Sequence, residues 1–438
     1  MIFTKKVFSF FIFLICAGIL YNKIYALSYS DLDTTLSDIL FNTIDENEGQ
    51  TTFRSLLIPF GGRSESLGTA YTGLSDDISF LRYNPGAGAI QKEGQISLFH
   101  NTWIADSKLE TFAYTTRFKN NPNLSIGSYI SCFYMPFTEY NIFGDRVAAS
   151  YYTETIAAMN ISYNFLAGYD FKGLALGATL KTGWRGMPDF TDNNTNAVLS
   201  GSGLSQSGLA VMADLGLLLQ FNFLKYYYSR EPNVRIGFSA QNIGLSLTGF
   251  GNEITQDDPL PTIFSAGISL KFIKPITLTA DFSQPVNLQN IGTYLTPYIS
   301  TGFSFQFTNF LTALLGISLK GGNPRFSAGF EFEVSKIRFN FNYTLDFTTS
   351  FSPFNRLSLS TKILLGDKGR SEIDKQIDDY YQLGLIYYAQ ADYESAIEIW
   401  NEALKLNKRF DPAILGIQSA QYQIDMFRKI KESLLLEQ

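Results

Sequence analysis

The feature that most constrains this fold is an alternation of apolar and polar residues that runs from position 95 to 366. Ile337–Asp346 shows it most clearly, because apolar side chains occupy every odd position and polar ones every even position. A repeat of two residues is that of a β-strand, whose successive side chains point to opposite faces. Gly, Pro, Asn and Asp separate about fourteen such runs, each near the ~9–11 residues of a tilted membrane strand. We therefore expect a mainly β protein whose residues 95–366 form about 14 antiparallel strands.

The alternation alone fits two architectures, a soluble β-sandwich and an outer-membrane β-barrel. The charged residues on the polar face favour the barrel. A basic side chain that faces lipid at the membrane midplane costs ~2–4 kcal/mol, whereas in a water-filled lumen it stays hydrated. Connection lengths favour it too, since long connections alternate with mostly tight ones. The long connections are 134–152, 183–206, 243–261 and 283–294. The charged residues on the polar face are Glu154, Lys181, Asp214, Arg235, Lys271, Asp281, Lys320, Arg338 and Lys362, and Glu110 is the exception.

Residues 1–26 have the composition of a secretory signal peptide. Two lysines precede the uncharged run 7–20, which is shorter than the ~20 residues of a membrane span. We expect cleavage after Ala26, with lipoprotein cleavage before Cys16 or a retained anchor helix as alternatives. No later stretch approaches ~18 uninterrupted apolar residues, so the sequence predicts an exported chain without helical membrane spans.

Composition argues against most enzymes and against nucleic-acid binding. The 438 residues include one His and two Cys, and the formal net charge is −6. So few His and Cys residues make a zinc site or a Ser–His catalytic pair improbable. A net negative charge does not favour binding of a polyanion such as a nucleic acid. We expect no enzymatic activity, no catalytic residue, no metal, no cofactor and no nucleic-acid partner.

Residues 27–94, between the leader and the first strand, are predicted to hold an N-terminal helix and a hatch. The stretch 59–90 is rich in glycine, which permits close backbone packing, and its Asn-Pro-Gly forces a turn. Such a compact piece suits the lumen of a fourteen-strand barrel, which its own side chains cannot fill. The alternative is an ordinary Gly-rich loop, and a nucleotide-binding Gly-x-Gly-x-x-Gly is absent from this stretch. The candidate hatch residues are Gly61, Gly62, Arg63, Gly68, Asp76, Asp77, Asn84, Pro85 and Gly86.

The order Gly-Gly-Arg, Gly, Asp-Asp and Asn-Pro-Gly-Ala resembles the N-terminal hatch of the FadL-like superfamily of outer-membrane transporters of hydrophobic compounds. Residues 100–110 and 235–244 are similar to the first hairpin and mid-barrel motif of its branch of PorV-like and uncharacterised spirochaete outer-membrane proteins. The resemblance covers about residues 50–366 and departs from the usual motif at Gly86, where the superfamily has Ala. It implies fourteen strands and passage of fatty acids or other apolar molecules when the hatch shifts. Some members act instead as secretion partners.

The tail, residues 371–438, changes period from two to about 3.6 and resembles one tetratricopeptide repeat followed by a third helix. A single repeat cannot bury its own apolar face well, so we expect the tail to bind a protein partner. The alternative is that these apolar residues only form the core of the tail. The candidate packing or partner-face residues are Leu383, Gly384, Tyr387, Tyr393, Ala396, Trp400 and Ala403.

The leading functional expectation is an outer-membrane channel for hydrophobic or amphipathic small molecules of fatty-acid type, embedded in outer-membrane lipid. The alternative is a non-transporting outer-membrane scaffold whose tail binds a periplasmic or secreted protein, and a soluble periplasmic binding protein would require the barrel interpretation to be wrong. An even number of strands returns the chain to the side from which it entered. Hatch and tail are therefore both expected on the periplasmic side.

Overall fold

The computed structural model describes residues 51–436, apart from 120, 142, 169–170, 193–194, 196, 228, 230, 250–253, 257, 294, 321–322 and 348–353. The predicted signal peptide, 1–26, and residues 27–50, with the predicted N-terminal helix, lie outside the described residues. In the part of the chain that is described, no helix is both long enough and apolar enough to cross a membrane.

Fourteen antiparallel strands close into a barrel, which confirms the predicted number and architecture. Each strand pairs with its neighbours in chain order, and β1 pairs with β14 to close the sheet. A two-residue strand, Thr255–Gln256, adds to the end of β7. The strands are β1 Gln95–Thr102, β2 Lys108–Arg117, β3 Leu124–Tyr140, β4 Arg146–Phe165, β5 Leu174–Gly186, β6 Gly208–Phe221, β7 Val234–Thr248, β8 Thr262–Ile273, β9 Ile276–Val286, β10 Tyr298–Gln306, β11 Leu311–Lys320, β12 Asn323–Val334, β13 Ile337–Asp346 and β14 Phe354–Leu364.

The apolar side of each strand faces outward and the polar side faces the lumen. In β13, Phe341 is 53% exposed on the outer surface, whereas the neighbouring Asn340 is fully buried inside. Of the nine charged residues expected on the polar face, five are buried inside the barrel and four line its two cavities. The buried five are Glu154, Lys181, Asp214, Asp281 and Lys362, and the cavity-lining four are Arg235, Lys271, Lys320 and Arg338.

Glu110 is the charged residue that the sequence pattern placed on the apolar face. It points outward from β2, and its Oε1 lies 2.7 Å from Nδ1 of His100 on β1, which also points outward. Both side chains are partly exposed, near the hairpin turn that joins the two strands. The pair thus places two polar groups close to one rim of the barrel.

The two ends of the barrel differ in their connections. We call the end at which β1 begins and β14 ends the turn end, and the opposite end the loop end. Two of the six turn-end connections have only two residues, 274–275 and 335–336, and so does 321–322 at the loop end. The longest loop-end connection, 187–207, has 21 residues, and the longest turn-end connection, 222–233, has 12. The prediction of a long loop at 134–152 was wrong, because β3 continues to Tyr140 and β4 begins at Arg146, which leaves 141–145 as the connection.

The chain before β1 fills the lumen, and the chain after β14 leaves at the same end. We call residues 51–94 the hatch; it contains two one-turn α-helices, α1 Arg63–Ser66 and α2 Phe80–Tyr83, and the 3₁₀ helices Arg54–Leu57 and Pro85–Ile90. The amide of Gly94 bonds the carbonyl of Gly366, so the end of the hatch and the start of the tail lie side by side. The tail forms three helices, α3 Arg370–Ala389, α4 Tyr393–Leu406 and α5 Asp411–Leu436.

Candidate functional site

The hatch is enclosed by the barrel wall. Of the nine candidate hatch residues, eight are buried and Asp76 is half-buried. Phe53, Phe60 and Phe80 of the hatch belong to one apolar cluster with inward side chains of β1 to β6. The main apolar core of the molecule is therefore the contact between hatch and wall, and the hatch is part of the folded barrel.

Glycines of the hatch meet glycines of the wall, backbone against backbone. A Cβ atom placed on Gly316 of β11 would lie 1.9 Å from the amide nitrogen of Gly68, whose own φ of +63° favours glycine. In the same way Gly267 of β8 abuts Gly73, and Gly216 of β6 abuts Gly86. Sequence reasoning singled out the hatch glycines and missed those of the wall. The available signal was glycine on the polar face of a strand, where a missing side chain leaves room for the hatch.

Polar contacts fix the hatch at several further points. Asp281 of β9 accepts hydrogen bonds from the amides of Tyr71 at 2.7 Å and Thr72 at 2.6 Å. Asn84 donates to the carbonyls of Thr72 and Leu217, both at 3.0 Å, and its Oδ1 accepts from the amide of Gly86 at 3.1 Å. Asn84 thereby caps the 3₁₀ helix that begins at Pro85, which is the structural reason for the Asn-Pro-Gly motif.

Ion pairs hold the adjacent acids Asp76 and Asp77, and Arg63, which binds Asp76, is also paired with the wall. Arg63 binds Asp76 at 3.0 Å within the hatch and Glu331 of β12 at 3.1 Å, and Lys362 of β14 binds Asp77 in a fully buried pair. Burial opposes ionisation of Asp76, but the nearby Arg63 and Arg235 outweigh it and hold the pKa of that carboxyl well below its usual range. Asp76 therefore stays charged at neutral pH and keeps Arg63 oriented toward the wall.

The hatch separates two cavities that share no lining residue. The loop-end cavity has a volume of about 460 Å³, and the turn-end cavity about 230 Å³. Ten of the 23 residues that line the turn-end cavity are charged, including Arg63 and Asp76 of the hatch and Lys271 of β8. Only the loop-end cavity combines a large volume with aromatic walls.

Cations of the loop-end cavity stack on its aromatic residues. The Arg356 guanidinium lies 3.9 Å from the ring centre of Trp103, and Lys320 lies 5.3 Å from that of Tyr298. Such contacts hold a positive charge beside an apolar surface. The lining includes six basic residues and three acidic ones. The basic residues are Arg54, Arg82, Arg185, Lys320, Arg325 and Arg356, and the acidic ones are Glu65, Glu154 and Asp258.

The acidic groups of this cavity neutralise only part of that charge. Glu65, in the hatch, is buried, and burial raises the pKa of its carboxyl although Arg356 opposes the shift. Arg356 is 3% exposed, and its Nε and Nη1 have no hydrogen-bond partner. Its Nη2 lies 3.6 Å from Glu65 and 3.4 Å from Asp346, so the cavity places a buried, ion-paired guanidinium next to an aromatic wall. Sequence reasoning did not find this site, because its residues come from the hatch and from strands across the barrel.

Comparison with known proteins places the chain in a family. A family model described as "Uncharacterised protein family (UPF0164)" matches residues 37–368. The chain belongs to this family. Two UPF0164 proteins of Treponema pallidum (strain Nichols) are 27% and 26% identical to it; the first alignment covers 89% of this chain and 87% of the relative, and the second 86% and 76%.

Three solved structures with a similar fold are a toluene transporter, a monoaromatic hydrocarbon channel and a FadL homologue. The toluene transporter TbuX of Ralstonia pickettii has a TM-score of 0.44 at 12% identity, with 69% of this chain and 98% of that chain covered. The monoaromatic hydrocarbon channel CymD has a TM-score of 0.47 at 14% identity, with 70% and 97% covered. A FadL homologue of Pseudomonas aeruginosa has a TM-score of 0.39 at 11% identity, with 69% and 96% covered.

The tail of this UPF0164 member lies beyond the matched residues and has its own small core. Trp400 is 1% exposed between the three helices, and its indole NH donates to the carbonyl of Tyr381 at 3.2 Å. A Cβ on Gly384 would lie 2.3 Å from the Trp400 ring, so α3 and α4 approach closely there. Of the other candidates, Ala396 and Ala403 are buried and Tyr387 and Tyr393 pack against them, whereas Leu383 is 38% exposed and lies outside this core.

Among the described residues, no group of three or more His, Cys, Asp or Glu side chains is arranged to hold a metal ion.

Proposed function

We propose that this chain is an outer-membrane channel that admits small hydrophobic or amphipathic molecules of fatty-acid type into a lumen closed by the hatch. The loop-end cavity, with its aromatic wall and excess of basic groups, carries the proposal. An amphipathic anion needs an apolar surface for its body and a cation for its head, and this cavity supplies both.

The outer surface supports a membrane location. Apolar side chains such as Phe112, Ile130 and Phe330 are about half exposed around the barrel. Closure leaves no free sheet edge, so the backbone groups of the strands are paired without water, as hydrocarbon requires. An aqueous location would leave this apolar surface unfavourably hydrated.

We further propose that the turn end faces the periplasm. Outer-membrane barrels place short turns on that side and longer loops outside. The hatch and the tail would then lie at or within the periplasmic half, and the loop-end cavity would open toward the exterior. The leader predicted at 1–26 is consistent with export along this route.

Lys320 allows the recognition of an anionic head to be tested. We expect Lys320→Gln to raise the Kd for laurate roughly tenfold, the loss expected for a hydrogen bond to a charged group. Binding of toluene, which has no charged head, should not change, and Lys320→Arg should retain laurate binding. Isothermal titration of the purified chain in detergent measures all three. Equal effects on laurate and toluene, or no effect on either, would contradict this role of the cavity.

Transport itself is tested with the purified full chain in liposomes. Laurate should accumulate inside liposomes that contain the chain faster than inside protein-free liposomes of the same lipid. Equal rates would contradict the channel and leave the scaffold as the better hypothesis.

One observation favours the scaffold as a second candidate. Three helices enclose the tail core, yet Leu385, Ile386 and Tyr422 remain exposed on them. Exposed apolar side chains of this kind suit a protein partner. We expect deletion of 371–438 to leave laurate uptake intact. Loss of uptake on that deletion, with the barrel still folded, would show that the tail takes part in transport.

A further inference from the structure

The connections at the two ends of the barrel differ in charge. The six turn-end connections contain six basic residues and two acidic ones, whereas the seven loop-end connections contain seven acidic residues and no basic one. The turn-end residues are the basic Lys119, Lys172, Lys225, Arg230, Lys274 and Lys336 and the acidic Asp170 and Glu231. The loop-end residues are Asp106, Asp145, Asp189, Asp192, Glu253, Asp257 and Asp258.

The turn-end lysines are distributed around the whole circumference. Five of the six connections contain one each, and Lys119, Lys274 and Lys336 have exposed side chains. Lys225 differs, because its ammonium donates to the carbonyls of Ser229 and Glu231 and so stabilises its own turn. We call Lys119, Lys172, Lys274 and Lys336 the basic collar.

Each lysine of the basic collar lies one or two residues from an exposed apolar side chain. Phe118 precedes Lys119, Phe171 precedes Lys172, Ile273 precedes Lys274 and Val334 lies two residues before Lys336. These apolar residues stand at the edge of the outward apolar surface of the barrel. A lysine at such an edge can keep its methylene groups on the apolar surface while its ammonium reaches the headgroup level.

We propose that the basic collar binds the anionic headgroups of phospholipids in the leaflet at the turn end. This rests on the membrane-embedded barrel of the proposed function and goes beyond it, because it assigns a lipid class to one rim. Lysines at four of the six turn-end connections, each beside an apolar anchor, fit a lipid surface, which surrounds the barrel, better than an acidic protein, which would contact one sector. The loop-end connections contain no basic residue that could bind the same headgroups.

Spin-labelled lipids test the proposal on the full chain reconstituted in phosphatidylcholine vesicles. Electron paramagnetic resonance reports the fraction of labelled lipid that the protein immobilises. At low salt we expect labelled phosphatidylglycerol to be immobilised at least twofold more than labelled phosphatidylcholine, and 1 M NaCl should remove this preference. The variant with all four collar lysines changed to Gln should lose it. The matched control, with Asp106, Asp145, Asp189 and Asp192 changed to Asn at the loop end, should keep it.

The outcomes separate this inference from the proposed function. Immobilised lipid without preference for phosphatidylglycerol would overturn the inference alone and assign the lysines to an acidic protein surface. An unchanged preference in the collar variant would overturn it as well. Absence of any immobilised lipid would contradict membrane embedding itself, and the inference with it.

Discussion

Replacement of Leu315 by arginine should prevent the barrel from assembling in a membrane. Leu315 lies midway along β11 and is 53% exposed on the outer surface. A basic side chain on the lipid side at the midplane costs ~2–4 kcal/mol, which is a large part of the stability of most domains. Folding into liposomes, followed by the heat-dependent shift in electrophoretic migration, measures the assembled fraction. We expect that fraction to fall severalfold.

Ser318→Arg is the matched control on the same strand. Ser318 points inward and lines the loop-end cavity, where the new charge can remain hydrated. This variant should assemble like the parent chain. Similar loss in both variants, or in neither, would show that the assignment of outer and inner faces is wrong.

Gly316→Ala should dislodge the hatch while leaving the strands paired. The added Cβ would lie 1.9 Å from the amide nitrogen of Gly68, a backbone atom that no side-chain rotation can move away. Overpacking of this kind typically costs about 1–3 kcal/mol, which the closed state can avoid only by moving the hatch away. We expect a severalfold rise in the permeation of small sugars in a liposome-swelling assay, with unchanged heat-modifiable migration.

Gly292→Ala supplies the comparison for the glycine prediction. Around Gly292 the nearest heavy atom to an added Cβ is Oδ1 of Asn290 at 3.6 Å, an ordinary contact. Permeation through this variant should equal that of the parent chain. A closed lumen in Gly316→Ala would contradict the role of glycine contacts in seating the hatch.

The strands could be predicted because apolar and polar residues alternate along them, and each type faces a different environment. β13 has the bounds that its sequence pattern indicated, and Phe341 and Asn340 lie on the expected sides. The pattern was less informative at the loop end. β3 continues to Tyr140, but its last residues are exposed or half-buried on both faces. The two strands still pair through their backbones there, but neither face is consistently apolar. The sequence therefore shows no alternation from which this part of the strand could be predicted.

The loop-end cavity and the seat of the hatch could not be predicted in the same way. Trp103, Lys320 and Arg356 lie in three distant parts of the chain, and only closure of the sheet brings them to one cavity. Gly68 and Gly316 are likewise far apart in sequence, and neither has a side chain that could reveal the other. Such contacts are set by the register between strands and by the path of the hatch.

Three features follow from the sequence alone. The chain forms about fourteen strands, one face of each strand is apolar, and a glycine-rich segment precedes the strands. These are local properties, because the period of two and the turn residues act over a few positions. The tertiary structure alone decided that the hatch meets wall glycines, that two cavities lie on either side of it, and that the loop-end cavity gathers six basic groups. Those features depend on how distant segments are aligned when the barrel closes, which no local pattern encodes.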